Sequence, residues 1–346
     1  MPQGLILNSK RGQVVLNDDI SIRNYNRTNQ ILNAEGYKVD INTLTAISQE
    51  IVAQQFYEIP LADYVPVIVG QNSFTTDILT YKTGMVSGDF EAKTFETGQG
   101  SARQTETDAD IDSVNLKVRN YRDGISWNIF ELEQASRSGR WDLVTLKETA
   151  RKTAWDLGVQ KIAFLGMKSD STNYKGLLTQ SDVNVNTTTI TKYIKSMTEA
   201  ELSAFVETIM QDYRTNCNQT TYPDTFVIPE ADWNGLVSPS SDTFPIKTKL
   251  DLLLEAFKRV TMNPNFEIKP VAYADQAQNA DIVGLNKNRY TLYRRRSQTV
   301  RMEIPVDYTT TLQNTINGFE FQNTAYGQYT GVIFTRPKEA LYFDFA

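Results

Sequence analysis

Apolar positions change their spacing several times along the chain, and each change marks an element. Residues 1 to about 40 carry only short apolar clusters, Leu5-Ile6-Leu7 and Val14-Val15-Leu16, which predicts an extended arm. From Leu44 the apolar residues Leu44, Ile47, Ile51 and Phe56 recur near helical spacing until Pro60, predicting a short docking helix. Between about Phe74 and Trp127 the period falls to two. In SVNLKV, Val114, Leu116 and Val118 alternate with polar residues, as in a strand with one covered face. Ala109 and Ile111, in DADID just upstream, have the opposite parity, which predicts a bulge or bend near Ser113. The intervening EAKTFETGQGSARQTETD is polar and turn-rich, so the region reads as a long hairpin with a wide tip. Such a hairpin is marginal by itself in water and needs another surface to lie on.

After Gly139 the period returns to that of a helix. Leu143, Leu146, Ala150, Ala154, Leu157 and Lys161 fall on one face, predicting a helix of about 25 residues, roughly 37 Å long, with Gly166 as its stop. Thr198 with Glu201 three positions on is a capping-box pattern ahead of Leu202, Phe205, Val206, Ile209, Met210 and Tyr213. DTFVIP reads as a buried strand closed by Pro229, and residues 247–260 as a third helix. Strand-like pieces are predicted at 266–273, 280–285, 289–293 and 300–304, and again in the C-terminal FEFQNTAYGQYTGVIFTRPKEALYFDF. Helices and strands mix without regular alternation, so the fold class is α+β rather than doubly wound.

Composition narrows the functions. The chain has 346 residues, 40% hydrophobic and 11% aromatic, enough for a substantial core in two domains or in one with large excursions. A net charge of −6 gives no global attraction to phosphate backbones. There is no histidine and only one cysteine, Cys217, so disulfide frameworks, Cys/His metal sites and imidazole-based triads are excluded. Asp108, Asp110 and Asp112 open like a calcium loop, but Ser113 stands where glycine is needed and Arg119 where the bidentate glutamate belongs. No cofactor is expected. Arg294, Arg295 and Arg296 form the one dense basic run, flanked by Tyr290 and Tyr293. Within a predicted strand they point to both faces, which favours subunit salt bridges or a solvated rim over DNA contact.

The order of elements, together with LTAISQEIVAQQFYEIPLADYVPVI before the hairpin, NIFELEQASRSGRWDLVTLKETARKTAWDLGVQKIAFLG as a spine helix and YKGLLTQSDV after it, resembles the major capsid proteins of tailed phages, the Hong Kong 97 capsid fold. The resemblance implies an N-terminal arm at 1–42, a peripheral domain at 43–75, 121–188 and 306–346, an extended hairpin (E-loop) at 76–120, and an axial domain at 189–305. It implies a structural subunit that self-assembles through pentamers and hexamers into an icosahedral shell around double-stranded DNA. The further partners it implies are portal, scaffolding and decoration proteins, with no membrane. Lys82, Lys93, Arg103, Arg294, Arg295 and Arg296 are then expected at subunit interfaces. Encapsulin-like compartments share the fold and stand as the alternative, with a monomeric carboxylate enzyme or sugar-binding protein as the third reading.

Overall fold

The computed structural model describes residues 5–9, 12–16, 56–86, 108–137, 143–240, 247–282 and 285–345. The chain divides into two compact units, residues 1–56 with 130–143, and residues 57–129 with 144–346. In the first, β1 (Leu5–Ser9) and β2 (Gly12–Leu16) pair antiparallel, and α1 (Ile129–Arg137) is a short helix. Most of the docking helix expected between Leu44 and Pro60 lies outside the described residues, and its expected last turn at 56–60 is non-helical chain with Phe56 exposed.

The second unit runs through β3 (Val67–Val69), β4 (Asp77–Val86), β5 (Asp108–Lys117) and β6 (Arg119–Asn128) to the long helix α2 (Leu143–Leu165). Next come β7 (Asn184–Asn186), α3 (Glu199–Asn216), β8 (Thr225–Pro229), the one-turn α4 (Glu230–Trp233) and α5 (Lys249–Thr261). The remainder is β9 (Glu267–Val271), the one-turn α6 (Gln276–Asn279), β10 (Asn288–Tyr293), β11 (Val300–Ile304), β12 (Val306–Thr310), β13 (Asn314–Thr315), β14 (Glu320–Tyr329), β15 (Val332–Phe334) and β16 (Ala340–Phe345). The strand expected at 280–285 is absent from its described part, where Ile282 N donates to Asn279 O and Leu285 N to Ile282 O in successive turns. Polar Asn279, Asp281 and Asn286 around it favour turns over a ladder.

The central sheet has the order β7-β16-β10-β8-β9, with β16, β10 and β8 antiparallel and the two edge strands joined in parallel. It is covered on both faces, which explains the nearly continuous apolar runs TFVIP and ALYFDF. Phe226, Ile228, Leu292, Leu341 and Phe343 point into one core with Phe205 and Ile209 of α3 and Phe257 of α5. Val227, Tyr293, Ala340 and Tyr342 point into another with Trp155, Val159 and Phe164 of α2. Each buried Val, Leu, Ile or Phe side chain among them contributes about 1.5–3 kcal/mol through transfer from water. The last strand, β16, thus lies inside the sheet built mainly from residues 225–293, although the expected peripheral segment 306–346 contains it.

A second layer is the long ribbon of β6 and β14, paired over ten residues from Arg119↔Tyr329 to Asn128↔Glu320, with β12 and β13 along the other edge of β14. Helix α2 lies against it, but not by the stripe that periodicity selects. Arg151, Trp155, Val159, Gln160, Ala163 and Phe164 are buried, whereas Leu146, Ala150, Ala154 and Lys161 are exposed. The stripe misleads because Arg151 and Gln160 look polar yet have partners. The Arg151 guanidinium donates to Tyr308 Oη (2.8 Å), Asn323 O (3.0 Å) and Asn323 Oδ1 (3.1 Å). Gln160 Nε2 donates to Tyr57 O (2.9 Å), and its Oε1 accepts from Ile59 N (3.0 Å). Satisfied in this way, both are buried at little cost.

The exit of α2 explains the stretch FLG…YKGLL. Gly166 turns the chain with φ +74°, the left-handed stop that glycine adopts without strain. The following loop folds back so that Leu177 N donates to Ala163 O (2.7 Å) and Leu178 N to Phe164 O (3.0 Å). Two carbonyls that the helix end would leave bare are thereby satisfied. The approach is so close that a Cβ on Gly176 would sit 2.4 Å from Phe164 O. The same loop is fastened to the central sheet: Arg289 Nη1 donates to Leu178 O (2.6 Å), and the Tyr342 hydroxyl donates to Leu177 O. Arg289 also forms a buried two-point pair with Asp344, its register partner across β10 and β16, at 2.6 and 2.7 Å.

Candidate assembly surfaces

The hairpin β4–β5 keeps an uninterrupted register from Asp77↔Lys117 to Val86↔Asp108, so no bulge occurs at Ser113. The change of parity has another cause: both faces of the hairpin carry apolar residues. On one face Ile78 and Leu116, opposite each other, pack with Ile333 of β15, and Arg301 Nη2 donates to Thr80 Oγ1 (2.6 Å). This face anchors the base of the hairpin. On the other, Leu79, Tyr81 and Ile111 are 56%, 67% and 67% exposed. Apolar side chains aligned on an exposed strand pair form a surface suited to burial by another molecule. Lys82, expected at an interface, shares the anchored face and stands opposite the exposed Asp112, half-buried itself. Lys93 and Arg103 lie outside the described residues.

The arginine run does not lie in a strand, because β10 ends at Tyr293 and the three residues form irregular chain that leads into the turn at 297–299. Their fates differ. Arg295 is tied inward: its N–H donates to Asp224 Oδ1 (2.6 Å), and its guanidinium donates to Asp63 O and lies 3.7 Å from Glu267. Arg294 N donates to Glu339 O (3.2 Å), but its guanidinium lies 3.6 Å from the Glu339 carboxylate, beyond hydrogen-bond reach. Arg296 is exposed. The neighbouring turn, bound through Thr335 N to Thr299 O, adds Arg336, whose Nη1 reaches Glu339 Oε1 at 3.2 Å, and exposed Lys338. Thr299 Oγ1 donates to the other oxygen of the same carboxylate (2.7 Å). Sequence spacing gave no sign of Arg336 and Lys338, which stand some forty positions from the run they join.

An opposite patch surrounds Asp156 of α2. One turn on, Gln160 is bonded to residues 57 and 59, which sets Glu58 beside the helix. Tyr308, tilted toward Trp155 at 47° and bonded to Arg151, brings the adjacent Asp307 near Asp156. Burial first of all, and then repulsion from Asp307 and Glu58, push the Asp156 carboxyl above the usual carboxylate range, with Lys152 opposing. Elsewhere, an open groove of about 580 Å³ runs along α5, lined by Leu254, Glu255, Lys258, Arg259, Met262 and Pro264. No group of three or more His, Cys, Asp or Glu side chains able to hold a metal occurs among the described residues. No described helix is long and apolar enough to cross a membrane.

An anchored projecting hairpin, a long helix laid on a twisted ribbon, and a sandwiched mixed sheet define the Hong Kong 97 class of capsid fold. Solved structures agree: the capsid of Myoviridae phage XM1 superposes with a TM-score of 0.71 at 17% identity, covering 90% of this chain and 100% of that one. A chain of Microbacterium phage Oxtober96 gives 0.56 at 9% identity (87% and 95% covered), and the capsid of cyanophage P-SCSP1u 0.53 at 11% (88% and 93%). Residues 91–345 match the sequence profile of the family described as major capsid protein. The chain therefore belongs to the major capsid protein family, the structural proteins that form the icosahedral shell of tailed phages. No curated protein matches it. The family match favours the phage-capsid reading over the encapsulin-like alternative.

Proposed function

We propose that the chain builds its shell from pentamers and hexamers around double-stranded DNA, with the hairpin β4–β5 lying on a neighbouring copy. The observation that supports this best is the two-faced hairpin: its base is fastened by Ile78, Leu116 and Arg301, while Leu79, Tyr81 and Ile111 remain in solvent. A closed shell repeats heterologous contacts around each axis, so one uncovered face per copy recurs at every neighbour. Many moderate contacts then combine through effective concentration into a stable whole. Synthesis in the host cytoplasm, and portal, scaffolding and decoration proteins as partners, belong to the same reading.

The test is electron microscopy with light scattering on the full chain beside a variant lacking residues 91–107. Closed shells, rings or tubes from the intact chain, with a folded but unassembled deletion, support the reading. A stable monomer under all salt conditions, with a scaffold protein supplied, sinks it.

A further inference from the structure

The basic turns around Glu339 contain more cation than the chain itself neutralises. Arg294 and Arg336 share one carboxylate, and Arg294 stays 3.6 Å from it, a separation at which its fork donates no hydrogen bond. Arg296 and Lys338 extend the patch as exposed cations with no ion pair within 4.0 Å among the described residues. Such guanidinium groups are suited to accepting a carboxylate or phosphate at two points.

The acidic patch at Asp156 has the complementary defect. Three carboxylates, Glu58, Asp156 and Asp307, gather where α2, the 57–59 segment and β12 meet, with Lys152 the cation that acts on Asp156 among the described residues. Like charges crowded on one exposed surface are unfavourable in a separate chain. A chain of net charge −6 also repels its own copies unless cations and anions meet at the contact. Both patches belong to the same compact unit, so each copy offers both to its surroundings.

We propose that the cation patch formed by Arg294, Arg296 and Arg336 binds the carboxylate patch formed by Glu58, Asp156 and Asp307 of a second copy, making a heterologous ionic contact in the shell. This rests on the capsid reading and adds which surfaces meet. The chain's own acidity favours a second copy over nucleic acid as occupant: the complementary charge is present on every neighbour, whereas packaged DNA meets a predominantly acidic protein.

The experiment reverses the charges in the full chain. One variant carries Arg296→Glu and Arg336→Glu, a second Asp156→Lys and Asp307→Lys, and a third all four; circular dichroism and melting curves establish folding. Each half-reversal is expected to lower the assembled fraction at least tenfold, and the fourfold variant to recover at least half of the wild-type fraction. Half-reversed chains that fold and assemble like wild type overturn the proposal, as does a folded fourfold variant that fails to recover. If a reversal does not fold, the neutral pairs Arg296→Gln/Arg336→Gln and Asp156→Asn/Asp307→Asn replace it. Wild-type assembly should then weaken with salt between about 50 and 500 mM, while the neutral variants respond several-fold less; equal salt responses overturn the proposal. Retention of a DNA duplex that the Arg variants lose, with assembly intact, assigns the patch to nucleic acid instead. A wild-type chain that never assembles refutes the capsid reading rather than this contact.

Discussion

At Gly176 one methyl group would lie 2.4 Å from the backbone of Phe164, and at Gly158, in the middle of α2, it would meet nothing within 4 Å. The two glycines therefore answer opposite physical questions. Replacing Gly176 by alanine must push the YKGLL loop off the helix end, breaking the bonds from Leu177 and Leu178 and pulling on Arg289; a loss of about 3 kcal/mol or more is expected. Gly158→Ala removes backbone entropy from the unfolded chain at no steric cost and should stabilise by about 0.5–1 kcal/mol. Urea melts of the two variants check the pair, and equal effects would refute the described approach. Gly166 was legible as a stop because a helix pattern ended there. Gly176 gave only a motif, since its role depends on a carbonyl twelve residues away. Arg289 and Asp344 left one clue, a charge inside each of two aromatic strand runs, but nothing that paired them.

Among elements, α3 was the most legible. Its capping box is present as predicted: Glu201 N donates to Thr198 Oγ1, and Thr198 N to Glu201 Oε2 (2.8 Å). Lys192, bonded to the same carboxylate at 2.7 Å, is the largest cause holding the Glu201 carboxyl down at about 2, followed by the bonds from Thr198. A carboxyl lowered on folding contributes stability that is full above its unfolded value near 4.5 and is lost as pH falls toward 2. The melting-temperature advantage of wild type over Glu201→Gln should accordingly be constant from pH 7 to about 5 and shrink toward zero near pH 2. A difference that persists undiminished at pH 2 would contradict it. Helix α2 is the contrary case. Its existence, length and stop were readable, but the choice of face was not, because periodicity ranks Leu146 and Ala150 above Arg151 and Gln160. Their hydrogen-bond partners in β6, β12, β14 and the 57–59 segment reverse that ranking.

For the whole molecule the consequence is assembly. Tyr81 and Leu79 lie on the hairpin face that makes no anchoring contact, so Tyr81→Asp should leave the melting temperature of the unassembled chain within about 2 °C of wild type. A charge placed in a contact that would otherwise be apolar should nevertheless lower the assembled fraction at least tenfold. Light scattering beside calorimetry separates the two effects. Assembly that is unchanged by the substitution would remove this face from the contact.

The sequence by itself determined the cap of α3, the stop of α2, the mixture of helix and strand, the absence of histidine chemistry and, through the order of its segments, the capsid resemblance. Those properties depend on neighbours within a few positions along the chain, or on composition. The tertiary structure alone decided which side of α2 is inside, that β16 enters the central sheet, that both hairpin faces carry apolar residues without a bulge, and that Arg294 and Arg336 approach one carboxylate, Glu339. Each of these depends on a partner far away in sequence, a carbonyl, a carboxylate or a strand edge, whose presence changes the cost of burying a polar group. Periodicity reads only the polarity of the side chain, whereas burial depends on whether that polarity is satisfied.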